Sequence, residues 1–333
     1  MRRAACLLLA LAVTAMSATA RSQVTELEQP RDVAAPKAAA TVFDKVVTIG
    51  ASLTDGFANG LPIAPLLDKA IVTEHRLVER VSTSAFFSMP LRLGAQQVRR
   101  ARKLEASLVV GVDFLFWYVY GPTSRHLNEL RSLPLGDARA REAEERSLAD
   151  ASAEDLPLLA RLATLERGLA ELEQLEVPIV IGDIPDMTGA LPMMLPQRAI
   201  PSRAIQDAAN KRIRAWARER KDCVLLFPLA ERVLSMKLGT MVLEASGDQK
   251  ALRLPMRVVL CNDKLHPSKI GALLFVDQLV DALAAFRPQH AEALVFDVRK
   301  EIAARGLGDV LLGLAAADDA TTEAQATKGA SKK

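Results

Sequence analysis

Five short runs of apolar and β-branched residues recur along this chain, separated by sequence of helical character, and that alternation restricts the possible folds most. The runs are Lys45–Gly50 (KVVTIG), Leu77–Val81 (LVERV), Ser107–Val112 (SLVVGV), Val177–Ile181 (VPIVI) and Val224–Phe227 (VLLF). Short runs with little polar interruption fit strands covered on both faces. Helical sequence follows at Leu91–Glu105 and again at 202–220. In the second stretch Ala204, Ile205, Ala208, Ala209, Ile213 and Trp216 share one side, and Ser202 offers an N-cap. Pro267 is expected to open the last strong helix as its first residue, with Ile270, Leu273, Leu274, Val276, Leu279, Val280 and Leu283 on the apolar face. Strands alternating with helices predict parallel βαβ units and an α/β sheet with helices on both faces.

The chain has 333 residues, half of them hydrophobic and a quarter charged, which suits a globular protein with a substantial core. Arg2 and Arg3, the apolar run Ala4–Met16, and the small residues Ala18 and Ala20 read as an export leader over 1–20. The run is shorter than the roughly 20 residues a membrane-spanning helix needs, although an uncleaved anchor is the alternative reading. The expected location is secreted or periplasmic, with no stable membrane span after cleavage. Residues 21–42 read as a linker, 43–286 as the folded domain, 287–315 as a helical extension and 316–333 as a disordered tail. Residues 124–176 carry almost no strand signal and are expected to form a helical insertion broken near Pro134–Gly136.

Removing Arg2 and Arg3 takes the formal charge from +3 to +1, and there is no Lys/Arg stripe of the kind a phosphate backbone requires, so a nucleic-acid partner is not expected. Cys6 lies in the leader. Cys223 and Cys261 remain, either as a disulfide in an oxidising compartment or as two small core residues. No C-x-x-C or H-x-x-x-H spacing occurs, so no zinc is expected, and nothing else calls for a cofactor.

Two segments carry chemistry. Gly50-Ala51-Ser52-Leu53-Thr54-Asp55-Gly56 directly follows the first strand, where α/β sheets bind ligands. Ser52 there is either a nucleophile or a plain helix cap. Asn262-Asp263-Lys264-Leu265-His266-Pro267 places an acid three residues before a histidine, so one tight turn brings the two side chains together. The alternative is a surface turn ahead of a helix. None of His75, His126 and His290 has a comparable setting.

Together the two blocks resemble the SGNH/GDSL hydrolases, which carry a nucleophile in a G-D-S-L block after the first strand and a D-x-x-H block before the last helix. G-A-S-L-T-D-G and D-K-L-H-P stand in the corresponding places, over about Phe43 to Phe286. The resemblance implies a three-layer α/β/α flavodoxin-like fold and a Ser–His–Asp esterase with Ser52 as nucleophile, His266 as base and Asp263 as its orienting acid. Two further blocks depart from the family. Gly111-Val112-Asp113-Phe114 stands for its G-x-N-D block, with Asp113 in place of the asparagine that holds the oxyanion. Ionised, Asp113 would repel that charge; protonated, it would donate to it. Val81-Ser82-Thr83-Ser84-Ala85, the expected second block, has no glycine. Asp113, Gly111, Ser84 and Ala85 are therefore the candidates for an atypical oxyanion hole.

The function expected is hydrolysis of a small-molecule or polymer-linked ester. A catalytically impaired module binding a glycan or lipid, and an O-acyltransferase, are the rivals. The aromatic run Phe114–Tyr120 reads chiefly as core and otherwise as pocket lining, and Leu191–Pro196 (LPMMLP) as an apolar lip or as packing. Asp183 sits at the same sheet edge, in a loop whose composition also suits a plain turn. Thr54 stands where the G-x-S-x-G elbow of the α/β-hydrolases has glycine, and no G-x-G-x-x-G follows the first strand, so neither that fold nor a dinucleotide site is expected.

Overall fold

The computed structural model describes residues 41–314. The leader, nearly all of the linker and the tail lie outside the described residues. The chain enters through β1 (Val46–Thr48), passes the short helix α1 (Ser52–Asp55) and α2 (Ile63–Ala70), and returns to the sheet at β2 (Glu79–Arg80). A 3₁₀ turn at Ser84–Ser88 leads into α3 (Pro90–Lys103), then β3 (Leu108–Gly111) and α4 (Phe116–Val119). Three helices, α5 (Thr123–Ser132), α6 (Ala138–Ala149) and α7 (Leu156–Leu172), precede β4 (Ile179–Gly182). Then come α8 (Arg203–Glu219), β5 (Val224–Phe227) and α9 (Leu229–Leu238), followed by a hairpin of β6 (Met241–Leu243) and β7 (Leu252–Leu254). The described chain closes with α10 (Met256–Val259), α11 (Lys269–Phe286) and α12 (Val298–Ala304).

β1 to β5 form one parallel sheet in the order β2-β1-β3-β4-β5, the flavodoxin-like arrangement. β1 and β3 pair with Val46 opposite Leu108 and Thr48 opposite Val110. The strands alternate between two cores, as a period of two demands. Val46, Leu108, Val110 and Val180 face the layer that contains α2 and α11. Val47, Val109, Ile179 and Ile181 face the layer that contains α3, α7 and α8. β3, β4 and β5 carry no polar side chain because both of their faces are covered, and β1 ends in the fully buried Thr48. β2 is the exception: it is an edge strand, and its two residues are charged and not fully buried.

The helical stretch before β4 is not uniform. Leu165, Leu169 and Leu172 of α7 share the core behind β3 and β4, whereas α6 buries no residue. The break between α5 and α6 falls at 133–137, and Asp137 caps α6 by accepting from the Ala140 N–H at 2.6 Å. Ser202 caps α8 as its sequence implies, accepting from Ile205 N–H. The last long helix differs from expectation. It starts at Lys269, and Ser268 is its cap, with Oγ accepting from Gly271 N–H at 3.1 Å. Pro267 lies before the helix, bridged to Leu260. The β6–β7 hairpin gives no sequence signal, since each strand is three residues long and only its ends are buried. Cys223 is exposed and Cys261 half-buried, and both are free, so they form neither a disulfide nor a core pair.

Candidate active site

In this strand order the chain reverses direction of travel across the sheet between β1 and β3, and their carboxyl ends open a crevice there. Ser52 follows β1 and Asp113 follows β3. The backbone between β1 and α1 turns at Gly50 with φ +127°, a value that L side chains rarely adopt. A Cβ on Gly50 would lie 2.3 Å from Asp113 Oδ1. Gln97, from the buried face of α3, clamps this residue: Gly50 N–H donates to Oε1 at 2.6 Å, and Nε2 donates to Gly50 O at 2.9 Å.

Asp113 organises the rest of the turn. It is 5 % exposed. Oδ1 accepts from Ala51 N–H at 3.0 Å and from the Thr54 hydroxyl at 2.6 Å. Oδ2 accepts from Leu53 N–H at 2.8 Å and Thr54 N–H at 3.3 Å. Burial pushes the carboxyl above the usual aspartate range and outweighs the opposing pull of the Thr54 hydroxyl and the three N–H groups. Asp113 therefore caps α1 from outside, a task Ala51 cannot perform and Ser52 does not. Among the described residues the Ser52 hydroxyl makes no hydrogen bond, and neither does its backbone N–H. The helix-cap reading of Ser52 is thereby excluded.

The acid and the histidine sit on a turn that stabilises itself. Asp263 Oδ1 accepts from Leu265 N–H at 2.9 Å and His266 N–H at 3.0 Å, while Oδ2 meets His266 Nδ1 at 2.7 Å. Cys261 N–H closes the turn onto His266 O, and Lys264 takes a left-handed φ of +54° to make it possible. Burial alone would raise the Asp263 carboxyl. The His266 backbone N–H and imidazole, the Leu265 N–H and the charge on His266 overcome it, so the net shift is downward. With Nδ1 held by Asp263, Nε2 is the nitrogen left over, and it makes no hydrogen bond among the described residues. Phe57 packs its ring 5.1 Å from the imidazole, centroid to centroid.

Ser52 and His266 line the same two cavities, although no hydrogen bond joins them. One cavity, of about 50 Å³, lies among Phe116, Met187, Leu229, Met236 and Phe275. The other, of about 850 Å³, is a groove bordered by Phe57, Phe87, Trp117, Met193 and Met194. Loose serine–histidine geometry is common before substrate binds.

The oxyanion candidates fare less well. Asp113 is neither a bare charge nor a proton donor at the site, because its oxygens face four donors of the Ser52 turn. Gly111 lies within β3 and lines neither cavity; a Cβ there would meet Ile49 Cγ1 at 2.8 Å, so its smallness serves packing. Ser84 and Ala85 border the groove, but their N–H groups are engaged, with Asp55 Oδ2 at 3.0 Å and Thr83 Oγ1 at 3.3 Å. Asp183 accepts from Ala230 N–H at 2.7 Å and pairs with Arg214, which makes it an anchor for α9. The aromatic run divides: Phe114, Tyr118 and Tyr120 are core, while Phe116 borders the small cavity and Trp117 the groove. The lip expected of the Met/Pro loop is present on the groove.

Gln97 supports the Ser52 turn without having been singled out in the sequence. The available signal for Gln97 was a polar residue on the apolar stripe of α3, between Gly94 and Val98. Among the described residues, no group of three or more His, Cys, Asp or Glu side chains converges as metal ligands would.

No known family profile and no curated protein matches the chain. Among solved structures it is similar to TesA, at 13 % identity over 73 % of this chain and 99 % of that one, with a TM-score of 0.38. It is also similar to the psychrotrophic esterase EstA from Pseudoalteromonas sp., at 12 % identity over 73 % and 98 % and a TM-score of 0.39. A third is Axe2, an acetylxylan esterase from Geobacillus stearothermophilus, at 15 % identity over 72 % and 94 % and a TM-score of 0.42. Likeness this distant transfers no chemistry.

Proposed function

We propose that this chain is a serine ester hydrolase of the SGNH/GDSL kind that acts after export from the cytoplasm. The observation that carries the reading is the division of labour at one crevice. The Ser52 hydroxyl is released from capping by Asp113, and it shares a cavity with a histidine whose far nitrogen is fixed by a half-buried carboxylate. In this reading Ser52 Oγ attacks the ester carbonyl while His266 Nε2 takes its proton. The imidazolium, stabilised by Asp263, then gives that proton to the departing alkoxide. Water repeats the sequence on the acyl-enzyme and returns Ser52 to its resting form.

Ser52 N–H is the free backbone donor at the nucleophile, and it takes the developing oxyanion. Each donor missing from a fully furnished site slows the chemical step by about 10²–10³-fold. The same scarcity favours one second reading, a binding module that has kept the crevice and lost turnover. Hydrolysis of p-nitrophenyl acetate by the wild type and by Ser52→Ala separates the two. Turnover that disappears in the variant supports the enzyme, and equal rates in both would leave the binding module standing. Export rests on the leader-like residues 1–20. N-terminal sequencing of protein recovered outside the cytoplasm tests it, with cleavage near Ala20 the expected result.

A further inference from the structure

The two cavities that meet at Ser52 and His266 differ in size and in the burial of their walls, and a double-displacement reaction treats its two substrate halves unequally. Resting on the hydrolase reading above, we infer that the small cavity receives the acyl group and the groove receives the alcohol. The preferred substrate is then a short-chain acyl ester of a bulky apolar alcohol.

The small cavity is narrow and its walls are buried. Met236 and Phe275 on its walls are 2 % and 1 % exposed, and its other walls are apolar except near Ser52, Asp113 and His266. At about 50 Å³ it has room for a few heavy atoms, one water needing on the order of 10–15 Å³ of occupied volume. That corresponds to an acyl chain of about two to four carbons. The groove is open: Phe57, Phe87 and Met193 on its rim are 43 %, 53 % and 84 % exposed. Its lining contains no carboxylate and two arginines, Arg125 and Arg198.

The order of events decides which half goes where. In the first step the Ser52 Oγ–carbon bond forms and the carbon–alkoxy oxygen bond breaks, with the Ser52 proton passing through His266 to the alkoxide. The alcohol must then leave before water reaches the carbonyl, while the acyl group stays tethered to Ser52. A half that has to depart suits the open groove. A half that is covalently held suits the narrow pocket, where it leaves His266 accessible to water from the groove side. Apolar aromatic and methionine side chains along the groove provide contact area for a large alcohol.

The test is the chain-length profile of Ser52-dependent hydrolysis of p-nitrophenyl esters from acetate to dodecanoate. The expected result is a maximum at acetate to butyrate and at least a tenfold fall in kcat/KM by octanoate. Met236→Ala should move the maximum to longer chains. Val233→Ala, at a partly buried wall position, gives the same readout if the first variant does not fold. On the groove side, Trp117→Ala should reduce the preference for 1-naphthyl over methyl acetate at least fivefold. A wild-type maximum at octanoate or longer would overturn the assignment of the two halves while leaving the hydrolase intact. Absence of Ser52-dependent turnover for every ester would remove the hydrolase reading and the inference together.

Discussion

The two turns that meet at the crevice are built on opposite principles. The Asp263–His266 turn is self-sufficient: every hydrogen bond made by the Asp263 carboxylate goes to a residue two or three positions away. The Ser52 turn is held from outside. Its partners are Asp113 and Gln97, which stand 59 to 62 and 47 positions from the groups they bind. The two carboxylates also respond oppositely to their surroundings. Asp263 is pulled below the usual range by its donors, whereas Asp113 is pushed above it by burial. A local turn can be specified by a hexapeptide. A turn braced by distant side chains exists only once the sheet has assembled.

Asp263→Asn should give the largest effect, and on activity more than on stability. The amide can still accept from the Leu265 and His266 N–H groups, but it presents an N–H to Nδ1 and forces the tautomer that cannot take the Ser52 proton. A fall of about 10³–10⁴-fold in kcat is expected. Because the Asp263 carboxyl lies below its ordinary value of 3.8, its stabilisation is present above that value and fades as pH drops through the lower folded one. The stability difference between wild type and variant should therefore hold steady from about pH 5 to 8 and close in stronger acid, as followed by thermal melts.

Gly50→Ala strikes the braced turn, where a positive φ and a Cβ 2.3 Å from Asp113 Oδ1 compound each other. A loss of about 3 kcal/mol in urea unfolding is expected, with activity lost in the same variant. Asp113→Asn is more diagnostic. If Asp113 occupied the family's oxyanion position in function as well as in sequence, the amide would raise activity. The structure implies the reverse, since an NH₂ would face groups that themselves donate. The expected cost is about 2 kcal/mol of stability, with kcat reduced at least ~10-fold. An activity gain would show that the brace has been misassigned. Lys264→Gly makes the smallest change: relief of the left-handed backbone should offset the added freedom of glycine, leaving a net gain of about 0.5 kcal/mol at most in the same urea titration.

The same contrast explains what could be read from the sequence. The five strands, their parallel pairing and the approximate bounds of α3 and α8 follow from apolar patterning that local residues carry. Asp263 and His266 are legible because spacing alone brings them together. Ser52 is only half legible: its place after β1 is visible, but its freedom from capping depends on Asp113, which reaches the turn from another strand. The oxyanion candidates misled for the same reason. Ser84, Ala85 and Gly111 stand at the expected places in the order of blocks, yet what occupies their N–H groups or surrounds their Cα is a tertiary fact. The start of α11 moved from Pro267 to Lys269 because Pro267 and Ser268 both suit a helix entrance, and the serine has a side-chain bond to offer.

One contact joins the substrate-facing surface to the chemistry. Leu191, at the head of the methionine-bearing loop, donates its N–H to the backbone oxygen of Asp263 at 2.8 Å. A swing of that loop would pull on the backbone of the residue whose carboxylate meets the imidazole, and solvent exchange at the Leu191 amide would report it.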